Sequence, residues 1–303
     1  MMPLPPGMQV FERGWLSANN ILFTGSGGTT LVDTGYVSHA PQTLALVRHA
    51  LGERPLERIV NTHLHSDHCG GNALLQDAYG CHTAIPFAEA DKVRAWDDDA
   101  LSFRATGQQC DRFTFDAVLR PGDTIALGGA PWQVLAAPGH DNHALLLFDR
   151  DARTLIAGDA LWENGFGVIF PELAGEPGFD EQAATLDLIA QLAPARVIPG
   201  HGAPFTDVAG ALARARSRLD YLAADPKRNA ENAVKVMLKF LLLERQKMPL
   251  ADVSVLLHAI PLVRDTCTRL LATTTAELAP WAVASLERAG AARRIDGWLC
   301  NTD

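Results

Sequence analysis

The chain has 303 residues, 48% of them hydrophobic and 20% charged, which excludes a disordered or fibrous protein. No run approaches the roughly 18 apolar residues of a membrane span. The formal net charge of −9, from 35 acidic and 26 basic residues, speaks against general affinity for nucleic acid or an anionic membrane.

To about Phe205, short β-rich runs alternate with amphipathic stretches. Residues 20–24 and 29–32 read as strands around the Gly25–Gly28 turn, and 39–51 as a helix with Pro41 in its first turn. A strand at 58–61, a helix at 71–79, a strand at 81–85 and a helix at 87–96 follow, then an irregular charged segment at 97–116. Strands are expected at 132–136, 144–148 and 154–157. A helix at 180–192 places Ala183, Leu186, Ile189 and Leu192 on one face, and Val197-Ile198 is a short strand. Beyond Asp207 the pattern turns helical, at 208–222, 230–246, 250–258, 262–271 and 280–289, with breaks at Asp225-Pro226, Pro249 and Pro261. Residues 292–300 read as a hairpin around Gly297, so the chain divides into an α+β unit at 1–208 and a helical, winged-helix-like unit at 209–303. The first residues, Met1-Met2-Pro3-Leu4-Pro5-Pro6, show no secretory leader, and the five scattered cysteines are not in a disulfide spacing. Both point to a cytoplasmic protein.

The informative segment is Thr62-His63-Leu64-His65-Ser66-Asp67-His68-Cys69-Gly70-Gly71. His63 and His65, two apart at a strand end, turn their imidazoles to one side, and Asp67 and His68 follow in a turn that can aim at a neighbouring point. His140, Asp159 and His201 each stand just past a predicted strand with a glycine before them, so five of the ten histidines fall at strand ends beside glycine. That grouping points to a metal centre rather than a scatter of surface imidazoles. Imidazole and carboxylate donors suit zinc, and equally iron or manganese.

With Leu31-Val32-Asp33-Thr34-Gly35 added, these motifs make residues 11–205 resemble the metallo-β-lactamase-fold hydrolase superfamily. The resemblance implies a four-layer αββα sandwich and two divalent metal ions, zinc first. His63, His65 and His140 would hold one ion, and Asp67, His68 and His201 the other. Asp159 would bridge them, and Asp33 would orient the ligand loop from behind. The implied reaction is attack by a metal-bridging hydroxide on an ester, thioester or lactone carbonyl. Asp67, orienting that hydroxide, and Asp159 are the catalytic candidates.

An aspartate at position 159, with Cys69 read as a buried thiol, is similar to the glyoxalase-II-like, lactonase and RNase-Z-like branches rather than to antibiotic-hydrolysing lactamases. The arginine motif that glyoxalase II carries after the bridging aspartate is replaced here by Asp159-Ala160-Leu161-Trp162-Glu163-Asn164-Gly165-Phe166-Gly167, which weakens a glutathione-thioester assignment. Trp162, Phe166 and Phe170 are candidates for an apolar acyl pocket, with core packing as the alternative. His143 is a candidate for a place behind a ligand or facing substrate, while His82 reads as a core residue.

Residues 211–247 carry nine basic against four acidic side chains. They suggest an anionic small-molecule substrate, with Lys227 and Arg228 among the candidate contacts; a solvated helix face is the alternative. The tail also resembles the β-lactamase-like protein 2 branch, which has ribonuclease members. A phosphodiesterase or ribonuclease therefore stands as the second reading, although no aromatic stacking platform supports nucleic acid as a partner. A non-catalytic metal scaffold is the third. No membrane partner is expected, and a homodimer stays open.

Overall fold

The computed structural model describes residues 4–302. Met1, Met2 and Pro3, on which part of the leader reading falls, and Asp303 lie outside them. Strands β1 (Met8–Phe11), β2 (Asn20–Gly25), β3 (Gly28–Val32), β4 (Arg58–Val60), β5 (His82–Pro86) and β6 (Ala117–Leu119) pair in that order in one sheet. A second sheet, ordered β11-β10-β9-β8-β7, holds β7 (Thr124–Leu127), β8 (Ala130–Ala136), β9 (Leu145–Asp149), β10 (Thr154–Gly158) and β11 (Arg196–Pro199). The helices up to β11 are α1 (Ala40–Leu51), α2 (Ser66–Cys69), α3 (Asn72–Tyr79), α4 (Ala90–Ala95), α5 (Phe103–Thr106), α6 (Phe170–Ala174) and α7 (Phe179–Leu192). After it come α8 (Val208–Ala223), α9 (Pro226–Arg245), β12 (Lys247–Pro249), α10 (Val253–Ala259), α11 (Pro261–Thr266), α12 (Thr275–Arg288), β13 (Ala292–Ile295) and β14 (Trp298–Asn301).

Alternation along the strands decides the layering, since successive side chains point to opposite faces. Ile21, Phe23, Val32 and Val60 face Trp132, Val134, Leu147 and Ile156 of the other sheet in a shared core. Their neighbours Leu22, Leu31 and Ile59 point outward and pack with Val47 and Leu51 of α1 and Leu75 of α3. On the far side, Leu146, Phe148, Leu155 and Ala157 pack under Leu186 and Ile189 of α7 and Ala211, Leu212, Ala215 and Leu219 of α8. This is the αββα sandwich, an α+β fold.

The sequence assigned α8 to the tail, yet its buried face belongs to the core of the sandwich. The helix that follows opens a separate core, in which Val234, Leu238 and Leu242 of α9 meet Leu257, Val283 and Leu299. Asp225 caps α9 by accepting the Lys227 N–H, and Pro226 sits at the first helical position, where it has no N–H to lose. In this part a three-stranded antiparallel sheet, β12-β14-β13, leans on the helices in the winged-helix order of helix, strand, helices, hairpin.

Four strands have no counterpart in the sequence reading: β1, β6, β7 and β12. All four are sheet edges of three or four residues, too short to show an alternation and defined mainly by the neighbour they pair with. Helix α12 starts at Thr275 rather than at Pro280. A reciprocal capping box between Thr274 and Glu277 sets the start, and Pro280 is accommodated inside the helix. No helix among the described residues is long and apolar enough to cross a membrane.

Candidate metal centre

The seven His and Asp side chains picked out by their spacing gather at one end of the sandwich, just past the ends of β4, β8, β10 and β11. His63 follows β4, and His65, Asp67 and His68 sit at the start of and within the single turn α2. Asp33 organises this segment from behind. Buried and at φ 56°, it accepts hydrogen bonds from the Thr62 N–H (2.9 Å), from Thr62 Oγ1 (2.8 Å) and from His68 Nδ1 (2.8 Å). A non-glycine residue in the left-handed region is strained, and the three donors supply what holds it there.

These bonds fix where the imidazole lone pairs point. Because Thr62 Oγ1 donates to Asp33, it accepts from His63 Nδ1 at 3.1 Å, which leaves His63 Nε2 as the lone-pair nitrogen. His140 Nδ1 donates to the Val168 carbonyl, so its free lone pair is also on Nε2. His65 turns Nε2 towards Asp141 Oδ2 at 3.7 Å and presents Nδ1 to His63 Nε2 (3.1 Å) and His140 Nε2 (2.9 Å). Ring nitrogens of the three histidines thus converge on one point, an arrangement suited to a metal ion. Burial first, then the neighbouring imidazoles, pushes His63 well below the usual histidine range. Burial and His65 push His140 down to about 4, so both rings are neutral at physiological pH.

The second group is richer in charge. His68 Nε2 is buried, has no hydrogen-bond partner, and lies 3.4 Å from Asp159 Oδ1 and 3.9 Å from Asp67 Oδ2. His201 Nε2 lies 3.1 Å from Asp67 Oδ2 and 3.8 Å from Asp159 Oδ2. Asp159 also reaches the first group, with Oδ2 at 3.6 Å from His140 Nε2. Burial would raise the Asp159 pKa, but His201 and His68 outweigh it and hold the carboxylate well below its usual range. For His68 burial is outweighed by Asp159, Asp33 and Asp67, which raise it well above the ordinary value. The donor atoms of each group lie within 4.8 Å of one another, so each could hold a metal ion. The packing around them is close: a Cβ on Gly200 would overlap Asp159 Oδ1.

The ligand ends are tied together across the chain. Asn19 Nδ2 donates to the carbonyls of Pro199 (3.0 Å) and Gly202 (2.7 Å), on either side of His201, while the Ala18 N–H donates to the Asp67 carbonyl at 2.9 Å.

A cavity of about 320 Å³ opens onto His65, Asp67, His140, Asp159 and His201. Trp162, Phe166 and Phe170 line it, in line with the sequence reading, and the Trp162 indole donates to Asp159 Oδ1 at 3.2 Å. Its opposite wall is Val236, Phe240 and Leu243, one face of α9 at helical spacing, joined by Met237 and Lys239. The basic stretch and the aromatic loop therefore wall the same cleft.

The particular cations expected there do not. Lys227 is exposed in the first turn of α9, and Arg228 stacks 4.1 Å from the Tyr221 ring and donates to the Tyr221 carbonyl. Counting charge along a helix does not say which face meets the cavity, and these two positions precede the turns that do. Arg218 of α8 lines the cavity instead. Also absent from the sequence reading is Trp15, half-exposed on the loop after β1, whose ring stacks on His201 at 5.4 Å and meets Trp162 edge-on at 5.3 Å.

His143 lies outside both groups: its Nδ1 bonds Glu89 Oε1, and with Glu89 and Asp141 it forms a third cluster. His82 is exposed and faces Asp116 at 3.4 Å, not in the core, because its strand position points to solvent. Cys69 is buried, its Sγ 3.8 Å from Cys110 Sγ, and belongs to none of the candidate metal groups.

The family profile described as Metallo-beta-lactamase superfamily matches residues 13–201. A hydroxyacylglutathione hydrolase of Hyphomonas neptunium is 32% identical over 149 residues, 48% of each chain, so the chain spans about half the length of the curated relatives it matches. A crystal structure of a metallo-beta-lactamase family protein from Thermus thermophilus covers 99% of this chain and all of its own, with a TM-score of 0.59 at 21% identity. Another solved protein, in a di-iron-bound form, is 27% identical and covers 67% of this chain and 96% of its own, with a TM-score of 0.54.

Proposed function

The chain belongs to the metallo-beta-lactamase superfamily, and we propose that it is a hydrolase that holds two divalent metal ions and cleaves an ester, thioester or lactone. The observation that carries this reading is the convergence of imidazole nitrogens and carboxylates in the lining of an apolar cavity. His63, His65 and His140 would hold one ion, Asp67, His68 and His201 the other, with Asp159 between them. Imidazole and carboxylate donors accept zinc, iron or manganese, and the di-iron form of one relative supports iron beside zinc. When bound, such ions polarise a carbonyl and make a water nucleophilic near neutral pH.

The chain's own groups do the rest. Asp33 and the Val168 carbonyl fix the ring orientations of His68 and His140, so the Nε2 of each is already aimed before an ion arrives. The Trp162 indole holds Asp159 Oδ1, and Trp15 covers His201 from the solvent side. The apolar walls keep water away from the acyl group, so that a polarised carbonyl is felt in a low dielectric.

A thioester is supported by the hydroxyacylglutathione hydrolases among the relatives, although they match over half their length. We place the junction between the catalytic unit and the tail at Asp225-Pro226, one helix after the sequence reading, on the strength of the α8 packing. The test is elemental analysis of the purified protein, followed by turnover of a panel of thioesters, p-nitrophenyl esters and lactones with and without chelator. Bis-p-nitrophenyl phosphate and short RNA serve as the competing class. Chelator-sensitive cleavage confined to the acyl panel is expected; cleavage confined to the phosphodiesters would replace this reading.

A further inference from the structure

We propose that Arg218 recognises an anion, and that the acyl group taken into the cavity has an apolar body with one carboxylate or similar anion at the end away from the scissile carbonyl. The scissile bond rests on the hydrolase reading above; the anion site does not.

Helix α8 carries three arginines within about one turn, and they differ in their partners. Arg214 donates to the Glu163 carbonyl at 2.9 Å and lies 3.5 Å from Asp207, and Arg216 pairs with Asp187 at 2.7 Å. Arg218 has no hydrogen bond and no ion pair among the described residues. Its guanidinium lies over the Phe166 ring at 5.3 Å, beside the backbone of Gly165. Burial lowers its pKa, and no neighbouring acid offsets that effect. The nearby charge that Arg218 does feel is Lys235, of the same sign.

The cavity offers Arg218 no anion of its own. The carboxylates that line it, Asp67 and Asp159, belong to the metal groups. Lys239, the other cation in the wall, donates to the carbonyls of Ala291 and Thr302 and to Asn301 Oδ1. Besides these groups, the lining of the cavity includes Phe166, Val168, Phe170 and the α9 face. A half-buried guanidinium without a counter-ion has lost water and gained little in exchange, so an incoming anion is attracted more strongly there than at an open surface. Its planar fork suits an oxygen pair of a carboxylate, sulfonate or phosphate. Arg218 also lines a shallow open groove with Ser217 and Tyr221, so it borders both the cavity and an open surface.

The test compares p-nitrophenyl hexanoate with mono-p-nitrophenyl adipate, which adds a carboxylate at the far end of a chain of the same length. The wild type should favour the adipate ester by about tenfold or more in kcat/KM, mostly through KM. Arg218→Met should bring the ratio to near one, and Arg218→Lys should keep part of it. An even ratio in the wild type, or a preference that survives Arg218→Met, overturns the proposal. A second measurement needs no turnover: tryptophan fluorescence, with Trp15 and Trp162 in the cavity wall, is titrated with hexane-1-sulfonate and hexan-1-ol. Arg218→Met should weaken the sulfonate about tenfold relative to the alcohol. Sulfonate binding independent of residue 218 overturns the anion site. Arg218-dependent sulfonate binding without hydrolysis of either ester would leave the anion site standing and remove the hydrolase reading alone.

Discussion

The two walls of the cavity are built on opposite principles. On the metal side the rings are held from behind: Asp33 accepts three hydrogen bonds, and His63 Nδ1 and His140 Nδ1 each donate to an oxygen. The facing wall combines Val236, Phe240 and Leu243 of the tail, which present little but hydrocarbon, with Arg218 of α8, which has no counter-ion among the described residues. On the proposed reading, a rigid wall that would place the reacting atoms faces one that would sort ligands by shape and charge. Substitutions on the two sides should therefore fail differently, the first in metal content and turnover, the second in KM.

The largest effect is expected at Asp159, which stands between the two donor groups. Asp159→Ala should strip metal and cut turnover on the order of a thousandfold or more. His65→Ala should do the same, and full metal content by elemental analysis in either variant would break the ligand assignment. Next comes Asp33→Asn, which leaves the donors at Thr62 and His68 competing for an amide. Metal affinity, read by chelator competition, should fall about 10- to 100-fold. Across the cavity, Phe240→Ala should raise KM several-fold while metal content per chain stays at the wild-type level. It should also destabilise the fold by about 3 kcal/mol in urea melts, since Phe240 packs on Leu16 and Tyr36. Loss of metal in that variant would erase the contrast between the walls.

The smallest effect concerns the third cluster. The Glu89 hydrogen bond raises the His143 pKa against burial, so the pair stabilises the fold below the ordinary histidine range. The contribution fades as pH rises through the raised value. Glu89→Gln should bring the His143 titration, followed by NMR, back down without changing metal content. A change in metal content would attach this cluster to the ligand wall.

The ligand wall was legible in the sequence because its chemistry is local: four donors crowd into six residues, and the other three each stand behind a glycine at a strand end. The opposite wall was not, because Trp15, Arg218 and Phe240 come from three distant segments, each with nothing but ordinary helix or loop character around it. The basic stretch drew notice to Lys227 and Arg228, where a helical-wheel reading anchored on Val236 would have put Lys227 on the opposite face of α9. For the fold, the interior strands announced themselves through alternation, while the short edges β1, β6, β7 and β12 had too few residues to do so. The capping box at Thr274 and Glu277 was readable and would have moved the start of α12 ahead of Pro280.

The clasp made by Ala18 and Asn19 bears on the order in which the molecule comes together. Asn19 holds the strand end before His201 from 180 positions upstream, and Ala18 holds the turn that carries Asp67. A nascent chain can form the earlier strands before β11 has left the ribosome, but the second donor group stays open until the segment that carries His201 returns to the loop between β1 and β2. Closing so long a loop is slow compared with forming neighbouring hairpins. Completion of both candidate donor groups is thus expected late in folding, in chains whose two sheets have already found each other.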